Sequence, residues 1–327
     1  MRPIPLFAAP FVAALSTAAF AAPPTVVTDI PPVQSLVAQV MEGVGTPALL
    51  LDRGANAHDF QLRPSHMSTL GSAGLVVWVG PEMTPWLDRV LDQAQPKGAR
   101  LELLGVAGTQ LRAYGDHEGH DHDHEAAAQE GHDHDDHAAE GHDHDAEAHD
   151  HDHTGKDPHA WLDPANAQTW LRAIAAELSR IDPDNAATYG ANADKAVQQV
   201  AALDAELAAG LAPVKDRPFV VFHDAYGYLT DHYGLHSAGA IAFGDAAAPG
   251  AAHLAELRDL VTTLGPICIF PEENHDPKLA TIIANDTGAT MGQPLDPEGS
   301  TIEPGPALYG TLMRGLADTL ETCLSAQ

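Results

Sequence analysis

Positive charge is scarce: 16 Lys+Arg stand against 46 Asp+Glu, a net charge of −30 over 327 residues. A chain so poor in cations is repelled by phosphate backbones and by anionic lipid, so no nucleic-acid partner is expected. It suits a partner that is itself a cation. Long apolar runs are missing too. The one apolar stretch, at the N-terminus, is interrupted by Pro3, Pro5 and Pro10 and falls short of the ~20 residues that cross a bilayer. The common catalytic signatures are absent: there is no His-Glu-x-x-His helix, no Gly-x-Ser-x-Gly elbow and no Gly-x-x-x-x-Gly-Lys-Ser/Thr loop. Cysteine is limited to Cys268 and Cys323.

That N-terminal stretch has a basic start at Arg2, an apolar core through Phe7, Phe11, Val12 and Leu15, and the small-residue signal Ala19-Phe20-Ala21. This is the grammar of a secretory signal peptide, with cleavage expected near Ala21 and a soluble exported product. Export places both cysteines in an oxidising compartment, where an even pair forms a disulfide. Closing a loop of about 56 residues is worth roughly 4 kcal/mol in the chain-entropy model. Their separation makes them a poor metal-ligand pair.

Histidine is abundant, with 20 residues distributed in two ways. Twelve lie in one acidic segment, 116–153: His117, His120, His122, His124, His132, His134, His137, His142, His144, His149, His151 and His153. The segment adds 15 Asp+Glu and no Lys or Arg, and repeats Gly-His-Asp-His at Gly131 and Gly141. It cannot bury enough apolar surface to offset its ordering entropy, and is expected to be disordered without metal. His spaced at i, i+2 and i+4 among carboxylates offers many weak, exchangeable cation sites.

Around this segment the chain reads as α/β. Aliphatic runs at Thr25–Thr28, Ala48–Leu51, Leu75–Val79 and Leu101–Leu104 alternate with helical periodicity, as do runs at Phe219–Phe222, Ala238–Ala242, Ile267–Phe270 and Ala289–Met291. Continuous apolar strands separated by helices predict parallel sheets covered on both faces. Between the two sets, Asp182-Pro183 reads as a helix start, followed by an apolar stripe through Ala193, Val197, Val200, Leu203 and Leu207. Such a helix spans roughly 40 Å and suits a bridge between lobes. The expected organisation is a signal peptide at 1–21, an N-terminal α/β lobe at 22–182 with the acidic loop inside it, a linking helix at 183–213 and a C-terminal α/β lobe at 214–327.

Open parallel sheets bind ligands at the carboxyl ends of their strands. His58 follows the second apolar run, His223 directly follows Phe219–Phe222, Asp296 follows the last run, and His159 precedes a helix starting near Pro164. Three imidazoles and one carboxylate from both lobes suit tetrahedral Zn2+, whereas Mn2+ and Mg2+ want more oxygen ligands. Of the other histidines, His66 reads as surface, His232 and His236 are separated by Gly234, and His253 and His275 read as structural.

Several segments carry a resemblance. They are Gly54-Ala55-Asn56-Ala57-His58-Asp59-Phe60-Gln61-Leu62-Arg63-Pro64-Ser65, Asp157-Pro158-His159-Ala160-Trp161-Leu162-Asp163-Pro164, Val221-Phe222-His223-Asp224-Ala225-Tyr226-Gly227-Tyr228-Leu229 and Leu295-Asp296-Pro297. In this order, across nearly the whole exported chain, they resemble the metal-binding solute receptors of bacterial ABC importers. The His-rich insertion and the imidazole at His223 resemble the zinc-uptake branch, the ZnuA type, and the cysteine pair resembles the disulfide of Gram-negative zinc receptors. The resemblance implies two pseudosymmetric lobes joined by a long rigid helix, with Zn2+ in the cleft on His58, His159 and His223. Some zinc relatives carry Glu immediately before the first His, where this chain has Ala57, so the fourth ligand is Asp296, a water or a loop His, with Asp296 favoured. It further implies a periplasmic monomer delivering zinc to an inner-membrane ABC permease, with a periplasmic zinc chaperone as a further partner of the loop. Two other classes share the chemistry. A periplasmic zinc buffer or chaperone would bind equally well without a permease, and a zinc hydrolase would need a general base such as Asp224, Glu272 or Glu273.

Overall fold

The computed structural model describes residues 22–94, 98–114, 155–244 and 249–327. The expected signal peptide and the acidic His-rich segment lie outside these residues. The N-terminal sheet is built from β1 (Val26–Thr28), β2 (Ala48–Leu49), β3 (Leu75–Trp78) and β4 (Ala99–Glu102), all parallel, in the order β2-β1-β3-β4. The helices α1 (Pro31–Val40), α2 (Pro64–Gly71) and α3 (Pro85–Ala94) connect them. The C-terminal sheet repeats the plan. Strands β5 (Phe219–His223), β6 (Ser237–Ala242), β7 (Cys268–Ile269) and β8 (Thr290–Met291) run parallel in the order β6-β5-β7-β8, with α6 (Gly227–Tyr233), α7 (Ala251–Leu264) and α8 (Lys278–Thr287) between them. The two lobes therefore share one topology, each turning its strand order beside its first strand.

The strands form where β-branched and aliphatic residues run without interruption: all of Leu75–Trp78 and all of Phe219–His223 are buried. The fourth strand lies two residues earlier than its apolar run suggests. As an edge strand, Ala99–Glu102 alternates half-buried and exposed positions, while Leu103 and Leu104 continue beyond it, donating to the Trp78 and Val79 carbonyls.

Between the sheets run α4 (Pro164–Ile181) and α5 (Ala186–Leu211), and the chain closes with α9 (Leu308–Leu324). Asp163 caps α4 by accepting the Ala165 N–H at 2.8 Å, with Pro164 in the first turn. The long helix starts three residues later than Asp182-Pro183 suggests, because Pro183–Asn185 form a separate 3-10 turn. The Asp182 carboxylate is engaged there by the Tyr189 hydroxyl at 2.7 Å and the Asn185 amide at 2.8 Å. Ala193, Ala196, Val200, Leu203, Leu207 and Leu211 make the buried stripe of α5; Ala196 replaces the expected Val197, which is half-buried. Each fully buried leucine of this stripe contributes roughly 1.5–3 kcal/mol. Both α4 and α9 pack on α5, and α1 packs on all three.

Candidate metal centre

His223 is the last residue of β5, beside β7, where the C-terminal strand order turns. Its position at a carboxyl end points the side chain toward the crevice that such a turn creates. The Glu272 carboxylate holds it twice: Oε1 accepts the His223 backbone N–H at 3.3 Å and Oε2 accepts Nδ1–H at 2.6 Å. Tyr226 donates its hydroxyl to the same Oε1 at 3.0 Å. His159 precedes a 3-10 turn at Ala160–Leu162, and Asp157 Oδ1 accepts both its backbone N–H at 3.0 Å and its Nδ1–H at 2.8 Å. His58 sits in the irregular segment after β2, its backbone N–H donating to Asn56 Oδ1 at 2.7 Å. The Trp86 indole donates to the neighbouring Ala57 carbonyl at 2.7 Å, anchoring that segment to α3.

These three segments bring three imidazoles to one point. His58 Nε2 lies 3.3 Å from His159 Nε2, which lies 3.4 Å from His223 Nε2. Carboxylates at the Nδ1 atoms of His159 and His223 keep the proton there, so both Nε2 atoms carry lone pairs toward the same space. Lone pairs facing at this distance repel unless a cation lies between them. A tetrahedral zinc with bonds of about 2.05 Å separates its nitrogen ligands by about 3.3 Å, so the donor set fits this ion. His159 and His223 are buried, and His58 is half-buried.

Asp296, the carboxylate expected beside them, lines the small cavity next to His223 together with Asn56, Glu272, His275 and Glu298. Its oxygens already accept four donors: Ser300 N–H at 2.9 Å and hydroxyl at 3.1 Å on Oδ1, Thr301 N–H at 2.9 Å and hydroxyl at 2.7 Å on Oδ2. Those four bonds use the acceptor sites a carboxylate has. His66 caps its own helix, its Nδ1 accepting the Arg63 N–H at 3.1 Å. His253 Nε2 donates to the Ala240 carbonyl at 2.9 Å. Cys268 and Cys323 form a disulfide, with Cα atoms 6.3 Å apart.

Sequence reasoning missed the orienting carboxylates. Asp157 lies two residues from its histidine and was open to recognition as an Asp-x-His pair, but Glu272 is 49 residues from His223 and left no local signal. It also missed His275, which stacks on Phe222 at 4.4 Å and forms with His223 and Glu272 a second group of adjacent ligand atoms.

His232 also has a role in the fold. It stands on α6, which ends at Gly234 in the left-handed conformation (φ 65°). Its Nδ1 lies 2.9 Å from Asp163 and its Nε2 2.8 Å from Asp204, a double donation that requires imidazolium. The hydrogen bond to Asp163 leads in holding its pKa up at about 9, against partial burial and with help from Asp204. The stabilisation is complete below about 6.5, where the unfolded chain is also protonated. It declines as pH rises and is lost above the folded value. His232→Gln should therefore lower the thermal midpoint at pH 6 and not above pH ~9.5; a gap equal at both pH values would contradict the clamp.

Residues 26–323 match the sequence profile of the zinc-uptake complex component A periplasmic family, ZnuA. The chain belongs to this family. The high-affinity zinc uptake system protein ZnuA of Paracoccus denitrificans is 49 % identical over 319 residues, covering 96 % of this chain and 97 % of the relative. The protein of the same name from Yersinia pestis is 34 % identical, covering 91 % of each. Among solved structures, a ZnuA crystal structure superimposes with a TM-score of 0.71 at 22 % identity, covering 92 % of this chain and 99 % of the other. The ZnuA family fold of two α/β lobes and a long helix is thus the fold of this chain.

Proposed function

We propose that the protein is an exported receptor that captures Zn2+ in the periplasm and hands it to the inner-membrane permease of an ABC importer. The observation that carries this reading is the trio of Nε2 atoms at 3.3 and 3.4 Å, backed by two buried carboxylates. His58, His159 and His223 are the proposed ligands. Water is the proposed fourth, because Asp296 is already engaged by four donors. Asp296→Asn should then change zinc affinity by less than about tenfold, whereas a ligand would cost more; equilibrium competition with a chelator decides.

Binding and release need no chemical step. Glu272, a general base in the hydrolase alternative, is committed to His223 and Tyr226, which supports a receptor over an enzyme. The acidic His-rich segment is proposed to offer weaker auxiliary sites, and the N-terminal residues to be a cleaved signal. Neutral imidazoles exchange their metal for protons, so affinity is expected to fall as the medium is acidified. An affinity constant between about pH 5 and 7.5 would count against a histidine site.

The deciding experiment is a zinc competition titration of the exported chain beside a version lacking residues 116–153. One tight zinc in both, lost when His58, His159 and His223 become Ala, supports the cleft receptor. Loss of all tight binding on truncation makes the loop the main binder and favours a buffer.

A further inference from the structure

Arg112 is a buried cation held by carboxylates of two different segments. It stands at the start of the His-rich segment, where Ala113 pairs with Lys156 in an antiparallel bridge. The Tyr114 N–H donates to the Gly155 carbonyl at 3.1 Å, and the Asp157 N–H donates to the Arg112 carbonyl at 2.9 Å. The two ends of the segment are joined in a short neck, with Arg112 and Asp157 paired across it.

The Arg112 side chain is 6 % exposed and that of Asp157 0 %. Nη1 lies 3.5 Å from Asp157 Oδ2, on the carboxylate whose other oxygen holds His159. Nε donates to Asp231 Oδ2 at 2.8 Å. Asp231 belongs to α6, the helix that follows His223 at the end of β5. The guanidinium packs against Gly227, the first residue of α6, so closely that any Cβ there would overlap it. Beside it, Tyr228 Oη accepts the Arg112 N–H and donates to the Asp157 carbonyl, each at 3.0 Å.

A buried guanidinium carries a desolvation penalty of several kcal/mol, which only well-placed anions repay. Here the anions come from two segments: one behind His159, one on the helix leaving His223. We infer that Arg112 is a positioning residue for zinc binding, locking Asp157, and through it the His159 ring, at a set distance from His223. This rests on the assignment of His159 and His223 as ligands. Arg112 touches no metal. It acts by tying the segment of Asp157 and His159 to α6, the helix that follows His223, at the root of the His-rich segment.

Residues that orient metal ligands typically cost 10–100-fold in affinity when replaced, so Arg112→Gln should weaken the tight site by roughly that factor. The test uses the full chain, with zinc competition for affinity and Co2+ as a spectroscopic probe of ligand geometry. Arg112→Gln should also alter the cobalt visible bands, and Arg112→Lys, which keeps the charge but not the fork, should recover part of the affinity. A purely structural role would lower the thermal midpoint and leave both the affinity and the cobalt bands unchanged, and that result overturns the inference. Should Arg112→Gln fail to fold, Gly227→Ala carries the test, since it displaces the guanidinium while keeping it; unchanged affinity there is equally fatal. A wild-type chain without a tight site dependent on His58, His159 and His223 would instead remove the ligand assignment on which the inference stands.

Discussion

His159→Ala is expected to weaken the tight zinc site by roughly 100- to 1,000-fold. Zinc held by four ligands in small protein sites is bound with about 10–16 kcal/mol, or about 2.5–4 kcal/mol for each ligand. His159 should lie at the upper end, because its Nε2 is the one in contact with both others, at 3.3 Å to His58 and 3.4 Å to His223. Its removal leaves the His58 and His223 ligand atoms within 4.8 Å of each other, one donor short of the set. The fold should tolerate the change better than the site does: Asp157 loses the imidazole but keeps its Arg112 pair and the His159 backbone N–H. Chelator competition and a thermal melt on one variant separate the two effects. Near-normal affinity would exclude His159 as a ligand, and a collapse of the melt would mean that the imidazole is needed for folding.

Removing the disulfide should act in the opposite sense, on stability and not on zinc. Cys268 opens β7 and Cys323 lies near the end of α9, 55 residues later, both buried. The bond sews the closing helix to an inner strand of the C-terminal sheet. Replacing both cysteines by Ala should cost roughly 4 kcal/mol, because the unfolded chain regains the freedom of a long loop. In a chain of this length the thermal midpoint should fall by roughly 5–10 °C. The zinc affinity of the folded variant should stay within about threefold of wild type, since neither cysteine nor its strand neighbours Thr290 and Phe219 touches the three imidazoles. An unchanged melt would show that the loop is already restrained by packing before the bond forms. A large loss of affinity would show that β7 transmits strain to Glu272.

Much of the fold is written in local pattern. Leu75–Trp78 and Phe219–His223 are apolar at every position because both faces are covered, and such runs are recognisable alone. The edge strand Ala99–Glu102 was displaced from its expected place because an edge position is half solvated and lacks that run. The 3-10 turn ahead of α5 was invisible because Asp182-Pro183 carries the same signal for either kind of helix. For the metal centre, strand-end placement indicated His58, His159 and His223, and the structure brings these together. It indicated Asp296 as well, on grounds just as good, and the hydrogen bonds that Ser300 and Thr301 donate to that carboxylate left no local signal in the sequence. Partners far along the chain were out of reach for the same reason: Glu272 for His223, Asp204 for His232 and Asp231 for Arg112 meet only after the sheets form.

The position of α9 bears on when the molecule becomes a molecule. This last helix packs on α5 and on α1, and the Tyr309 N–H donates to the Ser35 hydroxyl across 274 residues of chain. The first lobe therefore has no finished surface until the final stretch arrives. While the ribosome is still working, α1 lacks the contact that α9 adds to those from α4 and α5, and closing so large a circuit is slow. The last helix to be made is thus among the contacts that finish the first lobe.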